Sequence, residues 1–87
     1  MKRKLQIGVM GPSFSNYKGT PLEDKIEKTA EEVGMLLAKK GVIVLTGGCD
    51  GVMEAVMRGA NSVGGLTIGF PGPKRGSANQ YAEVEVL

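Results

Sequence analysis

With 87 residues the chain holds one domain at most, and at this size it buries only about 60 to 65 per cent of its unfolded surface, so its stability is thin. A composition of 41% hydrophobic and 23% charged residues is that of a globular protein and excludes a disordered tail. The net charge of +2 gives no reason to expect a nucleic-acid partner.

Leu5 to Met10 reads as a first strand, ended by Gly11-Pro12-Ser13 and a polar loop, Phe14 to Gly19. A first helix is announced by Thr20-Pro21-Leu22-Glu23: a capping threonine, proline at the first helical position, and a glutamate three residues after the cap that reaches back to its N–H. Leu22, Ile26, Ala30, Val33 and Leu37 then form one apolar stripe opposite Lys25, Glu32 and Lys39. Lys39-Lys40-Gly41 closes the helix with cations in the last turn and glycine just beyond it.

Val42-Ile43-Val44-Leu45 is apolar at every position and predicts a strand buried on both faces. It stops in Thr46-Gly47-Gly48-Cys49-Asp50-Gly51, and a second helix is expected at once, from about Gly51 to Val63, with Met53, Val56, Met57, Ala60 and Val63 on its core face. Gly64-Gly65 ends it. Leu66 to Phe70 reads as a third strand running into Pro71-Gly72-Pro73, Lys74 to Gln80 as a polar loop, and Tyr81 to Leu87 as a fourth, exposed strand. The expected fold class is therefore α/β, a Rossmann-like parallel sheet ordered β-α-β-α-β with a short fourth strand.

That order has a geometric consequence. Right-handed crossovers between adjacent parallel strands put both helices on one face of the sheet. The other face is then a large apolar patch that must be covered. Further chain, a partner subunit, or a different strand order could each do this; further chain is the expected cover, and a homo-oligomer, a dimer or larger, is expected as well.

The three strand ends that carry Gly, Pro, Ser or Thr all lie at the carboxyl edge, where open α/β sheets bind ligands. Glycines there let a ligand approach the backbone, and the first N–H groups of the following helix favour a phosphate or carboxylate. The candidate ligand-binding residues are Gly11, Pro12, Ser13, Thr46, Gly47, Gly48, Asp50, Gly51, Val52, Met53, Pro71, Gly72 and Arg75. Asp50 is expected to cap the second helix with its carboxylate and to compete there with an anion. Cys49 sits near a helix amino terminus, where a thiol can become reactive. Arg58 either pairs with a phosphate or is a solvated surface charge.

Several chemistries are excluded. The chain has no histidine, which removes Ser-His and Cys-His nucleophile pairs, and one cysteine supplies a single ligand of the four that a tetrahedral metal site needs. No metal is expected. No Gly-x-Gly-x-x-Gly follows the first strand and no Gly-Lys-Ser or Gly-Lys-Thr occurs, so neither a dinucleotide fingerprint nor a phosphate loop of the nucleotide-hydrolysing kind is present. Lys2-Arg3-Lys4 precedes too short an apolar run for a secretory signal, no segment reaches the length of a membrane span, and a lone cysteine suits a reducing compartment; a cytoplasmic location is expected.

Gly47-Gly48-Cys49-Asp50-Gly51-Val52-Met53-Glu54-Ala55, followed by Arg58-Gly59-Ala60 and Gly64-Gly65-Leu66-Thr67-Ile68-Gly69, resembles the LOG-like Rossmann superfamily. That group includes nucleoside 5'-monophosphate phosphoribohydrolases (long labelled lysine decarboxylases), molybdenum-cofactor carrier proteins and DNA-processing proteins. Ile7 to Ser13, Pro71-Gly72 and Ala78-Asn79-Gln80-Tyr81 look most like the carrier branch. The superfamily's second signature, Pro-Gly-Gly-x-Gly-Thr-x-x-Glu, does not occur here, so its phosphate loop, catalytic glutamate and catalytic arginine map onto no residue of this sequence.

What the resemblance implies is that residues 1–87 are the amino-terminal half of a single nucleotide-binding domain. The expected ligand is a nucleoside monophosphate or a pterin-type phosphate, held without turnover. The alternatives are a phosphoribohydrolase whose catalytic groups lie in another half, and a self-associating half-domain.

Overall fold

The computed structural model describes residues 4–72, 76 and 78–86. Its elements are β1 (Gln6–Gly8), a single 3-10 turn (Phe14–Asn16), α1 (Glu23–Lys39), β2 (Ile43–Thr46), α2 (Val52–Ser62), β3 (Thr67–Gly69) and β4 (Val84–Glu85). The strands form one four-stranded parallel sheet in the order β1-β2-β3-β4. Every expected element is present, most of them a residue or two shorter at the ends; the final residue of the expected fourth strand, Leu87, lies outside the described residues.

Both helices cover the same face of the sheet. Val44, fully buried at the centre of β2, packs in one cluster with Ala30 of α1 and Ala55, Val56 and Ala60 of α2. Side chains alternate along a strand, so Ile43 and Leu45 point the other way. Register carries that face across the sheet: Leu45 pairs with Ile68, and Ile68 with Val84. Phe70, Val84 and Val86 are 48%, 42% and 39% exposed on it, and Met10 is 94% exposed at its carboxyl end. The strand order removes one of the three remedies considered from sequence; the uncovered face is real.

The helix pair differs from the periodicity reading. On α1 the buried residues are Ala30 and Gly34, while Leu22 and Val33, expected in the core stripe, are 56% and 40% exposed. On α2, Ala55 and Gly59 join Val56, Met57 and Ala60 inside, and Val63 lies at the margin, 37% exposed. Small residues explain the rotation. A Cβ on Gly34 would overlap the carbonyl of Val56, and one on Gly59 the carbonyl of Glu31. The helices therefore touch backbone to backbone, and the larger side chains are pushed to the rim of the contact.

The start of α1 is also shifted. Pro21 precedes the helix, whose N-cap is Leu22. Glu23 reaches back, but to the N–H of Gly19 at 2.7 Å, while the Thr20 hydroxyl accepts the N–H of Leu22 at 3.3 Å and donates to the Tyr17 carbonyl at 2.7 Å. The capping pair thus closes the turn before the helix. At the other end Gly41, with φ 76°, makes the expected left-handed exit.

Candidate functional site

Three loops meet at the carboxyl edge of the sheet, around the turn that joins β2 to α2. Thr46 ends β2 and is buried; its hydroxyl accepts the N–H of Gly48 at 2.8 Å and donates to the sulfur of Met57 at 3.2 Å, so it faces inward. Gly48 and Gly51 both have φ 76°. For Gly51 the reason is close approach as well: a Cβ there would stand 2.5 Å from the Pro12 carbonyl oxygen and 2.6 Å from the Phe14 nitrogen.

The first loop lies directly on this turn. The Pro12 carbonyl accepts the Val52 N–H at 3.2 Å, and a Cβ on Gly11 would crowd the Val52 side chain at 2.7 Å. Asp50 does not cap α2 as expected. The N-cap is Gly51, without a side-chain bond, and the Asp50 carboxylate instead accepts the Phe14 N–H at 3.1 Å. The backbone turn at Gly51 directs Asp50 away from the helix and towards the incoming first loop, so its charge borders the crevice.

The third wall is Asn79, which the sequence reading did not place in the site. Its N–H donates to the Gly48 carbonyl at 2.7 Å, and its side-chain amide donates to the carbonyls of Cys49 at 2.8 Å and Gly48 at 3.2 Å. Its side-chain amide oxygen accepts the Tyr81 N–H at 2.9 Å. The signal was present only as the similarity of Ala78 to Tyr81 to carrier-type sequences; a lone Asn in a polar loop carries no pattern that marks it.

Two hollows flank the turn. One, of about 540 Å³ and open to solvent, is lined by Ser13, Gly48, Cys49, Asp50 and Asn79. The other, about 230 Å³, lies on the uncovered face between Gly8, Met10, Leu45, Gly47 and Phe70. Gly47 and Gly48 divide the polar hollow from the apolar one. Met53, half-buried, keeps its sulfur 3.1 Å from where a Gly47 Cβ would be. Pro71 and Gly72, half-buried after β3, line neither hollow among the described residues, and Arg75 lies outside the described residues.

Cys49 is exposed, its thiol directed at the Gly47 carbonyl at 3.8 Å. Among the described residues no group of three or more His, Cys, Asp or Glu side chains is arranged to hold a metal ion.

Arg58 is not a free surface charge. It bonds Glu31 at 2.7 Å and Glu27 at 3.3 Å, and its guanidinium carbon lies 6.0 Å from the centre of the Tyr81 ring. The bond to Glu31 does most to raise its pKa, against partial burial, with Glu27 adding to the effect. Glu27 also accepts the hydroxyl of Tyr17. Burial, reinforced by that bond and by the carboxylate charge, holds the Tyr17 phenol well above its ordinary pKa.

A parallel α/β sheet with glycine-rich loops gathered at its carboxyl edge defines a Rossmann-like ligand-binding fold. The family model described as SLOG cluster4 matches residues 4–87, and the chain belongs to that family. It is 34% identical over 82 residues to an uncharacterized protein of Archaeoglobus fulgidus, covering 94% of this chain and 50% of the relative. Among solved structures, the Moco carrier protein of Chlamydomonas reinhardtii is similar with a TM-score of 0.81 and 36% identity, covering 98% of this chain and 49% of that one. The molybdenum cofactor binding protein of the phototrophic bacterium Rippkaea orientalis gives a TM-score of 0.81 and 36% identity over 100% of this chain and 51% of its own. The chain thus spans about half the length of the relatives it matches.

Proposed function

We propose that the protein is a carrier-type binding module that holds a small phosphate-bearing ligand, a nucleotide or a pterin-type phosphate, without turning it over. The observation that carries this reading is the closing of the first loop and of Asn79 onto the Gly48 to Asp50 turn, which leaves a polar hollow beside an apolar one. A flat ring fits the apolar hollow and a phosphate the polar one, which is lined by Ser13 and the Gly48 to Asp50 turn. Two similar structures are proteins whose names refer to the molybdenum cofactor, which supports a pterin-type ligand over a plain nucleotide. No side chain of this sequence takes a catalytic role in the proposal.

In this reading Gly11, Pro12, Ser13 and Gly47 to Met53 form the ligand-facing backbone and Thr46 supports it from below; Pro71, Gly72 and Arg75 are further candidate contacts read from the sequence. Residues 1–87 serve as the amino-terminal half of one domain, whose other half covers the exposed sheet face. The length of the relatives and the apolar character of that face support this. Self-association through the same face into a dimer or larger is the competing arrangement. A cytoplasmic setting suits the exposed thiol of Cys49. Among the described residues no helix is long and apolar enough to cross a membrane.

Calorimetric titration with AMP, inorganic phosphate and a pterin monophosphate tests the binding reading. Saturable binding of the pterin phosphate, competed by phosphate, is the expected result. Absence of binding by all three at millimolar concentration overturns it.

A further inference from the structure

The two side walls of the polar hollow come from segments far apart in the chain, yet a path of contacts joins each of them to one guanidinium. On one side Arg58 meets Glu27, and Glu27 accepts the Tyr17 hydroxyl. The Tyr17 ring stands edge-on to Phe14, centroids 5.4 Å apart, and the Phe14 N–H is bound by Asp50. On the other side Arg58 lies against the Tyr81 ring, while the Tyr81 carbonyl is held by the side chains of Asn61 and Thr67. The Tyr81 N–H is held by Asn79, whose amide clasps the Gly48 and Cys49 carbonyls. The chain of contacts therefore leaves Arg58 in two directions and arrives at the same turn from both.

We propose that Arg58 is a positioning residue for the hollow: it sets the distance between the Phe14 wall and the Asn79 wall without touching the ligand. This rests on the reading of that hollow as the ligand site. The geometry asks for arginine in particular. One side chain must bond two carboxylates, Glu31 through Nε and Glu27 through Nη2, while its guanidinium carbon lies over an aromatic ring. A guanidinium does this with its fixed fork of donors; an ammonium is a point charge with no face to stack. A purely structural ion pair between α1 and α2 would need neither tyrosine.

Amide hydrogen exchange, read residue by residue by NMR on the ligand-free protein, separates the two roles. In Arg58→Gln the amides of Phe14, Gly48, Asn79 and Tyr81 are expected to exchange at least about ten-fold faster, while those of Ile43 and Val44, bonded to Leu5 and Leu66 in the sheet, keep their protection. Arg58→Lys restores part of the Phe14 protection and little of that at Asn79. A uniform acceleration, or none, overturns the proposal.

Should Arg58→Gln fail to fold, Tyr81→Leu leaves both ion pairs in place and breaks only the second branch. Faster exchange at Asn79 and Gly48 with Phe14 unchanged supports the proposal, and unchanged exchange at Asn79 overturns it. Because exchange is measured without ligand, a wild-type protein that binds none of AMP, inorganic phosphate and the pterin monophosphate defeats the functional reading alone.

Discussion

Gly34 of α1 lies against the carbonyl of Val56 in α2 so closely that no Cβ fits between them. Gly59 repeats the arrangement against Glu31, so the two helices lock reciprocally and their separation is fixed by backbone. Everything mounted on them inherits that spacing, including Glu27, Glu31 and Arg58. Gly34→Ala gains about 1 kcal/mol of helix propensity, yet it forces the helices apart in a well-packed core, which costs about 1–3 kcal/mol, and more when backbone has to move. Because the clash is with backbone, the cost falls at or above the top of that range, and a net loss of about 2 kcal/mol or more is expected in urea unfolding followed by circular dichroism. A midpoint equal to or above wild type would contradict the backbone contact.

The same contact marks where sequence reasoning stops short. Hydrophobic periodicity weighs residues by apolar size, so it chose Leu22 and Val33 over Gly34 for the inner face of α1. A helix pair that meets through Ala30, Gly34, Ala55 and Gly59 hides from such a reading, because its signal is small size. The uncovered face was legible as the consequence of one strand order, since Val42 to Leu45 is apolar throughout and crossover handedness does the rest, but the order itself is open in the sequence and settled only by the strand pairing. The glycines at 47, 48 and 51 were legible as a turn at a strand end. The partner of Asp50 was not, because a carboxylate at that position has a local choice, the α2 N–H groups, and a distant one, Phe14, and only the packed first loop decides between them. Arg58 and Asn79 make contacts 22 to 31 residues away in the chain, a separation at which spacing carries no information.

Asp50 combines two effects that substitution can part. Its carboxylate holds the Phe14 N–H and also puts a negative charge beside the hollow proposed for an anion. Asp50→Asn keeps an acceptor oxygen and removes the charge. At a few ångströms in a water-like dielectric the repulsion is about 1 kcal/mol, so phosphate or AMP should bind several-fold more tightly, with the gain shrinking at high salt. Asp50→Ala loses the loop bond as well and should not show that gain. Weaker binding in Asp50→Asn, measured by calorimetry at low and high salt, would mean that the carboxylate itself contacts the ligand.

Gly48 is buried with φ 76°, and a Cβ there would stand 3.3 Å from Ala78 and from the Gly69 backbone. A side chain in that backbone region costs roughly 1–3 kcal/mol before any crowding. Gly48→Val is expected to stay folded with a lowered melting temperature and to lose most of its affinity for the ligand, because the Asn79 wall must retreat from the Gly48 carbonyl. Gly48→Ala should fall between. If calorimetry shows wild-type affinity in Gly48→Val, the turn is not part of the binding surface.

Tyr17 makes stability depend on alkaline pH. Only 4% of it is exposed, and its phenol stays protonated above the ordinary tyrosine range while it donates to Glu27. In the unfolded chain it ionises near the ordinary value of about 10. Its raised folded pKa is thus a contribution fully present below that value. As pH climbs past it, the unfolded state binds fewer protons than the folded one, and stability falls by up to about 1.4 kcal/mol per pH unit. Tyr17→Phe removes both the bond and the titration. At neutral pH it should be less stable by about 1.5–3 kcal/mol, the usual worth of a hydrogen bond to a charged group. The gap should then narrow steadily above about pH 10, because wild type weakens there while the variant does not share that loss. Every other group is common to both proteins and cancels in the comparison. Urea midpoints of the pair, measured across the alkaline range, check this; two parallel curves would show that Tyr17 ionises as easily in the fold as outside it.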